Sequence, residues 1–358
     1  MSTTFGRNVR YTLFGESHGG GIGIILDGLP SGVKLDMAQI YAEMKRRAPG
    51  QDAFSTARKE EDAPELLSGF FEGYTTGTPL CALIKNTDQR SRDYAKLNEL
   101  PRPSHGDYCG SVKYGGFQDY RGGGHFSGRL TAPLVFAGAV AKQILAQKGI
   151  AIHAVIRQIG TIKGEGFSAQ NVQPDTLDFP VFDPVVKEKM QVEILKAKHV
   201  GDSVGGVVET VIYRLPVGLG DPFFDSFESR LSHLMFSVPA VKGIEFGEGF
   251  ALANMLGSEA NDSFVSDGKN ITTTSNHNGG ILGGITSGMP VIFRTAFKPT
   301  PSISKEQQTV NLRTMENEKL VITGRHDPCV VPRAVVVTES VAAMVVLDFL
   351  VCGGKVIE

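Results

Sequence analysis

Histidine and arginine placement carries the chemistry in this sequence. Of eight histidines, His18 (G-E-S-H-G), His105 (P-S-H-G-D) and His125 (G-G-G-H-F) adjoin a glycine, while His277 and His326 lie one residue from one. Glycine turns let backbone approach whatever they face. An imidazole titrates near neutral pH, so several such loops together point to proton transfer. His153 and His233 fall inside regular patterns and read as structural. Neither H-E-x-x-H nor a carboxylate cluster accompanies the histidines, so no metal site is expected. Arg102, Arg121, Arg129 and Arg325 each stand within a few residues of a glycine-rich or histidine-bearing loop. Lys45, Arg46 and Arg47 close a predicted helix, where cations suit the dipole and need no further role. Their functional reading joins them to the other arginines. Guanidinium forks grip phosphate or carboxylate at two points, which suits a small ligand with several negative charges. Nucleotide motifs fail: Arg129-Leu130 follow Gly128 where a P-loop needs Lys-Ser/Thr, and Ser127 stands where a dinucleotide fingerprint needs its third glycine.

The frame around these residues is globular. The chain has 358 residues, 41% of them hydrophobic and 21% charged, with a mean hydropathy of -0.05. Such a chain buries a sizeable core as two domains or one duplicated one, and disorder is excluded. With 36 basic and 38 acidic side chains the net charge is -2. That provides no global field for a nucleic acid or an anionic membrane, so neither is an expected partner. Cys81, Cys109, Cys329 and Cys352 contain no C-x-x-C pair, which is too thin for a disulfide scaffold and wrongly spaced for a zinc ribbon. Residues 1–14 lack the apolar core of a secretory leader. The apolar stretches 132–141 and 334–351 are short or broken by Thr338, Glu339, Ser340 and Asp348, so neither reads as a membrane span. A soluble cytoplasmic protein is expected.

The elements that must position the loops occur in pairs. Residues 16–32 align without gaps on 202–218, matching Ser17 with Ser203, Gly19-Gly20 with Gly205-Gly206, Leu29-Pro30 with Leu215-Pro216, and Gly32 with Gly218. A helical pattern follows each copy: Met37–Arg47 with Asp36 as N-cap, and Asp225–Phe236 with Phe227, Leu231, Leu234 and Met235 on one side. Residues 68–79 then align on 279–290, and a β-like run follows the shared proline in each, Leu80–Ile84 and Val291–Phe297. A third pair is a polar loop entering a helix apolar almost all round: Gly124–Arg129 into Leu134–Leu145, and Gly324–Cys329 into Ser340–Val351. Helices without a polar face are buried on every side. These pairs predict one α+β domain over 1–358, a β-α-β sandwich, internally duplicated, with buried helices between antiparallel sheets. Its pseudo-symmetric halves would cover about 1–150 and 200–352. The polar stretches 86–108 and 298–325 read as lids or binding loops.

In this order the segments resemble the chorismate synthase family from Phe5 to about Leu350. G-E-S-H-G (15–19), G-H-F-S-G-R-L-T-A-P (124–133) and G-R-H-D-P-C (324–329) are similar to its three signatures. N-T-D-Q-R-S (86–91), R-P-S-H-G-D (102–107), A-V-K-G-I-E-F-G (240–247), N-H-N-G-G-I-L-G-G-I (276–285) and K-P-T-P-S-I (298–303) support the match. The resemblance implies an anti 1,4-elimination of phosphate from 5-enolpyruvylshikimate-3-phosphate, giving chorismate for aromatic amino acid biosynthesis. It implies a carbon–oxygen lyase that needs reduced FMN without net redox change. It further implies a homotetramer, and the matches leave no segment for a flavin reductase, so an external reductant is expected; whether the chain itself uses NADPH is left open.

By the same resemblance His18 assists phosphate departure, and His105 protonates or polarises the flavin near its pyrimidine edge. Ser17 and Asp327 form a relay toward flavin nitrogen 5. Arg47, Arg102 and Arg129 hold the substrate. FMN contacts are His125, Phe126, Ser127, Ala240, Gly283, Lys298, Pro299, Thr300, Pro301, Ser302 and Arg325. Two positions depart from the family pattern: His125-Phe126 replaces a frequent Arg-Ser, and Ala53 replaces a frequent arginine for which Arg58 could substitute. The residues alone also allow a phosphate-binding regulatory protein without turnover, or a lyase or transferase acting without flavin.

Overall fold

A computed structural model describes residues 3–50, 62–87, 98–174, 176–322, 326–352 and 355–356. Strands β1 (Thr4–Phe5), β2 (Arg10–Gly15) and β3 (Gly21–Asp27) lead into helix α1 (Met37–Arg47). The Asp36 carboxylate caps α1 by accepting from the amides of Ala38 and Gln39, as the sequence predicts. Next come β4 (Pro64–Ser68), the short pair β5 (Phe70–Phe71) and β6 (Tyr74–Thr75), and β7 (Leu80–Lys85), in which Leu80, Ala82 and Ile84 face the core with strand period. These strands give a five-stranded antiparallel sheet ordered β1-β2-β3-β7-β4. Helices α2 (Asp107–Lys113) and α3 (Thr131–Ala146) follow.

The second sheet begins with β8 (Ala151–Ile159) and β9 (Ile162–Lys163), then passes through helix α4 (Pro184–His199) to β10 (Gly206–Tyr213) and helix α5 (Phe227–Met235). It continues with β11 (Val241–Phe246), the short helix α6 (Gly257–Ala260), and hairpins β12 (Phe264–Ser266) with β13 (Ile271–Thr273) and β14 (Ile281–Leu282) with β15 (Ile285–Thr286). Strand β16 (Val291–Phe297), the hairpin of β17 (Gln307–Val310) and β18 (Asn317–Leu320), and helix α7 (Val331–Leu350) complete it. This sheet is ordered β11-β16-β10-β8-β9, antiparallel throughout.

Helices α3 and α7 lie between the sheets, α3 against β3 and β7, α7 against β8 and β10, with α1 and α5 beside them. Both are buried on nearly all sides, which is why their sequences lack a polar face. They meet at Gly138, where a Cβ would lie 2.1 Å from the Cβ of Ser340, so the contact admits no side chain. The buried Glu339 in the middle of α7 is balanced: it binds Arg46 of α1 at 2.7 and 3.0 Å and pairs with Lys142 of α3. Among the described residues no helix is long and apolar enough to cross a membrane.

The same element order occurs twice. Strands β2, β3, β4 and β7 with α1 and α3 correspond to β8, β10, β11 and β16 with α5 and α7. The loops repeat down to single hydrogen bonds. The Thr75 hydroxyl donates to the Pro30 carbonyl at 2.6 Å and accepts from the Val33 amide at 3.0 Å. The Thr286 hydroxyl donates to the Pro216 carbonyl at 2.7 Å and accepts from the Leu219 amide at 2.9 Å. Pro30 with Pro216 and Thr75 with Thr286 are pairs that the two alignments superpose, and Val33 and Leu219 follow directly after the first alignment. Three expectations shift. The second sheet reaches back to Ala151, ahead of residue 200. Helix α7 starts at Val331 and not Ser340, because Pro332 sits in its first turn, where a missing N–H costs nothing. The stretch 298–325, read as a lid or binding loop, contains the β17–β18 hairpin.

Candidate active site

Helices α3 and α7 both begin at one cavity of about 450 Å³, inside the ~300–1,000 Å³ range of small-molecule sites. Thr131 at the start of α3 and Val330, Arg333, Ala334 and Val337 at the start of α7 line it. The positive ends of two helix dipoles therefore face the same space, which favours anions.

Arginines supply the rest of that potential, each held by a carboxylate or carbonyl. Arg47, the last residue of α1, donates to Asp62 at 2.7 Å, Thr131 at 3.1 Å and the Gly128 carbonyl at 3.0 Å. Arg129 bonds the other oxygen of Asp62 and the Asn86 side chain. Asp62 has a fully buried side chain and a left-handed backbone (φ 53). Burial raises its pKa, but Arg47 and Arg129 outweigh that and hold it below the ordinary value. Burial, then Arg333 and Arg129, lower Arg47 to about 10 despite Asp62. Crowded guanidiniums of this kind gain from a further anion. Arg102 is gripped by Asp107 through two 2.8 Å bonds.

His105 stands beside this pair. Its Nε2 lies 2.7 Å from the Ser302 hydroxyl. Burial and Arg102, with smaller contributions from Lys298 and His326, push it down to about 3 against the opposing pull of Asp107. His105 is therefore neutral at physiological pH. Lys298 donates to the Ser104 carbonyl at 2.6 Å, joining the two polar stretches of the sequence across the cavity mouth. Asp327 pairs with Arg333, whose Nε reaches the Arg47 carbonyl at 2.9 Å, so one side chain links α7 to the end of α1.

Ser17 and His18 are buried immediately behind the wall. Gly122, Gly123 and Gly124 all adopt positive φ. A Cβ on Gly122 would sit 2.2 Å from the His18 ring and 3.0 Å from the Ser17 hydroxyl, so only glycine can separate them from the cavity. The Ser17 amide donates to the Gly124 carbonyl at 3.1 Å, while its hydroxyl is buried with no hydrogen-bond partner among the described residues. The Thr300 hydroxyl, on a wall residue, is likewise buried with no partner among the described residues. These groups, with Lys298, Arg47, Arg102, Arg129 and Arg333 outnumbering Asp62, Asp107 and Asp327, fit a phosphorylated, hydrogen-bonding cofactor and an anionic substrate.

Of the residues singled out from sequence, His105, Asp327, Arg47, Arg102, Arg129, Phe126, Ser127, Ala240, Lys298, Thr300, Pro301 and Ser302 line the cavity together. Ser17 and His18 stand behind Gly122. Pro299 is off the wall, its ring edge near Gly205. His125 turns its Nδ1 to the Gly15 carbonyl at 2.8 Å. Gly283 turns the β14–β15 hairpin and is also off the wall. Arg325, Ala53 and Arg58 lie outside the described residues. Sequence reasoning missed Asp62, Asp107 and Arg333. The signal for Arg333 was a lone arginine inside an apolar helix; Asp62 had none. Among the described residues no group of side chains could hold a metal ion.

Comparison with known proteins adds a lineage. A family model described as chorismate synthase matches residues 9–351. A chorismate synthase of Pyrococcus abyssi is 49% identical over 346 residues, covering 96% of each chain. One from Thermococcus kodakarensis is 46% identical over 351 residues, again 96% of each, and one from Chitinophaga pinensis is 47% identical over 348. A chorismate synthase crystal structure superposes with a TM-score of 0.71 at 30% identity, covering 96% of this chain and 92% of that one.

Proposed function

The chain belongs to the chorismate synthase family, carbon–oxygen lyases of the shikimate pathway, and from that premise we propose how its cavity works. It takes 5-enolpyruvylshikimate-3-phosphate together with reduced FMN and releases chorismate and phosphate by anti 1,4-elimination. The observation that carries this reading is the convergence of two helix N-termini and five cationic side chains on one cavity that also holds a neutral histidine and a carboxylate. A trianionic substrate offsets exactly that kind of excess positive charge, and an apolar or cationic ligand would not.

Reduced flavin, when bound, supplies electron density to the substrate and takes it back, so no net oxidation results. The protein's residues do the rest. Arg47 and Arg129, already crowded around Asp62, orient phosphate and carboxylates at the positive ends of α3 and α7. His18 reaches the cavity past Gly122 and gives a proton to the departing phosphate. Ser17 and Asp327 carry the proton taken from carbon 6, with Arg333 fixing the Asp327 carboxylate. His105 contributes an N–H from a neutral ring. Burial first, then Arg102 and Lys298, depress its protonation, and anionic ligands beside those cations would favour the protonated ring. Lys298, Thr300, Ser302, Ser127 and Phe126 hold the cofactor, with Arg325 expected among them.

A homotetramer would cover the exposed Phe223, Phe224 and Phe250, whose side chains are 87%, 92% and 86% accessible. A cytoplasmic setting with an external flavin reductant completes the reading. The test is anaerobic phosphate release from the enolpyruvyl substrate with and without reduced FMN. Release only with reduced FMN is expected. Equal release without flavin, or binding without release, would overturn the assignment.

A further inference from the structure

Residues 106–114 contain two glycines and a tyrosine four apart, Gly106, Gly110 and Tyr114, which places all three on one face of α2. That face is a socket for the ring of Phe126. A Cβ on Gly110 would lie 2.7 Å from the ring and one on Gly106 3.1 Å from it, and Tyr114 stands with its centroid 6.2 Å away. One side of the ring rests on this face, and Phe126 also lines the cavity, where the residue remains 43% accessible. Gly110 is buried within a helix, where glycine is otherwise unfavourable. Its presence is explained by the ring.

The same short turn grips the opposite side of the site. Gly122 packs on His18, the Gly124 carbonyl accepts the Ser17 amide, and His125 reaches the Gly15 carbonyl. On the α2 side, Asp107 holds Arg102, His105 meets Ser302, and Lys298 binds the Ser104 carbonyl. We propose that Phe126 is a positioning residue: by plugging the Gly106–Gly110 socket it sets where His105 and Arg102 stand relative to Ser17 and His18. A serine, frequent at this position in the family, could not fill the socket. This chain thus substitutes apolar locking for polar contact at that loop. The roles of the histidines rest on the preceding reading; the socket does not.

The test uses the full chain without substrate. His105 is titrated through its ring C–H resonance, and affinity for oxidised FMN is measured by fluorescence quenching, in Phe126→Ala, Phe126→Leu, Gly110→Ala and the Gly110→Ala/Phe126→Ala pair. In Phe126→Ala, water should reach His105 and raise its midpoint from about 3 by one pH unit or more toward the ordinary ~6.5. FMN affinity should fall at least about tenfold. Phe126→Leu should keep most of both properties. Gly110→Ala should reproduce the loss by displacing the ring, and the double variant should be no worse than Phe126→Ala alone. An unchanged His105 midpoint in Phe126→Ala, or losses that add in the double variant, would overturn the proposal, even if thermal stability falls. Because neither measurement involves turnover, failure of phosphate release would sink the functional reading while leaving the socket intact, and the reverse outcome separates them equally well.

Discussion

Replacing Asp62 by asparagine isolates the charge on which the arginine cluster depends. Asparagine keeps the shape and tolerates the left-handed backbone of Asp62 (φ 53), so conformational strain is not introduced. What disappears is the negative charge between Arg47 and Arg129, where the carboxylate is fully buried and the two arginine side chains are nearly so, open only toward the cavity. Removing one partner of a buried pair costs ~3–5 kcal/mol. Spread over the unfolding entropy of a chain this long, ~2.1 cal/mol/K per residue, that is a fall of about 4–7 °C in Tm. The pH dependence has a definite sign. Arg47 and Arg129 depress the folded pKa of Asp62 against the effect of burial. Its contribution is therefore fully present above the ordinary carboxylate value and lost as pH falls through the lower folded one. Thermal melts of both proteins should differ at pH 7.5 and converge in acid. Inorganic phosphate should also raise Tm more in Asp62→Asn than in the parent, because the anion then meets two uncompensated guanidiniums. A variant melting within about 1 °C of the parent at pH 7.5, or gaining no more from phosphate, would refute the account of the cluster.

His18→Ala and His105→Ala should each lower turnover by ~10²–10⁴ while oxidised FMN still binds, measured by anaerobic phosphate release and flavin titration. Asp327→Asn should reduce kcat more than it raises KM, and Arg333→Gln should resemble it with partial recovery in Arg333→Lys; an effect on KM alone would make Asp327 a binding residue. Glu339 is pushed up by burial but pulled down to about 2 by Lys142 and Arg46. Glu339→Gln should therefore lose stability above about pH 4.5, with the deficit shrinking as pH falls toward 2, as urea midpoints would record.

Much of the scaffold was legible because its signals are local. Asp36 followed by a 3.6-residue pattern gives α1, alternation gives β16, and two all-apolar runs give the central helices. The duplication was visible because the turns around Thr75 and Thr286 use the same side-chain bonds and so keep the same residues. The start of α7 was placed too late because the apolar run was counted from Ser340, while Pro332 sits in the first turn, a place that suits proline. The β17–β18 hairpin is short and polar, and its strands gain from docking on residues 99–101 what they lack in pattern, through the Leu312 amide on the Glu99 carbonyl and the Thr309 hydroxyl on the Pro101 carbonyl. Arg102 and Arg129 were found from their glycine-rich neighbours, while Arg121, singled out by the same signal, pairs with Asp119 off the cavity wall. Asp62 and Arg333 were not found, because their meaning lies in partners far along the chain that only the fold brings within reach.

The bare contact at Gly138 sits near the midpoint of α3, and Ser340 near the midpoint of α7. Each helix extends from there to the cavity as an arm of roughly 10–15 Å at 1.5 Å per residue. The two rods work like the blades of scissors, riveted where nothing but hydrogen fits. One methyl group forced into the rivet would splay the tips, drawing Arg129 away from Asp327 and Arg333. Control over the spacing of the reactive groups is thus exercised from a spot buried well beyond the reach of any ligand.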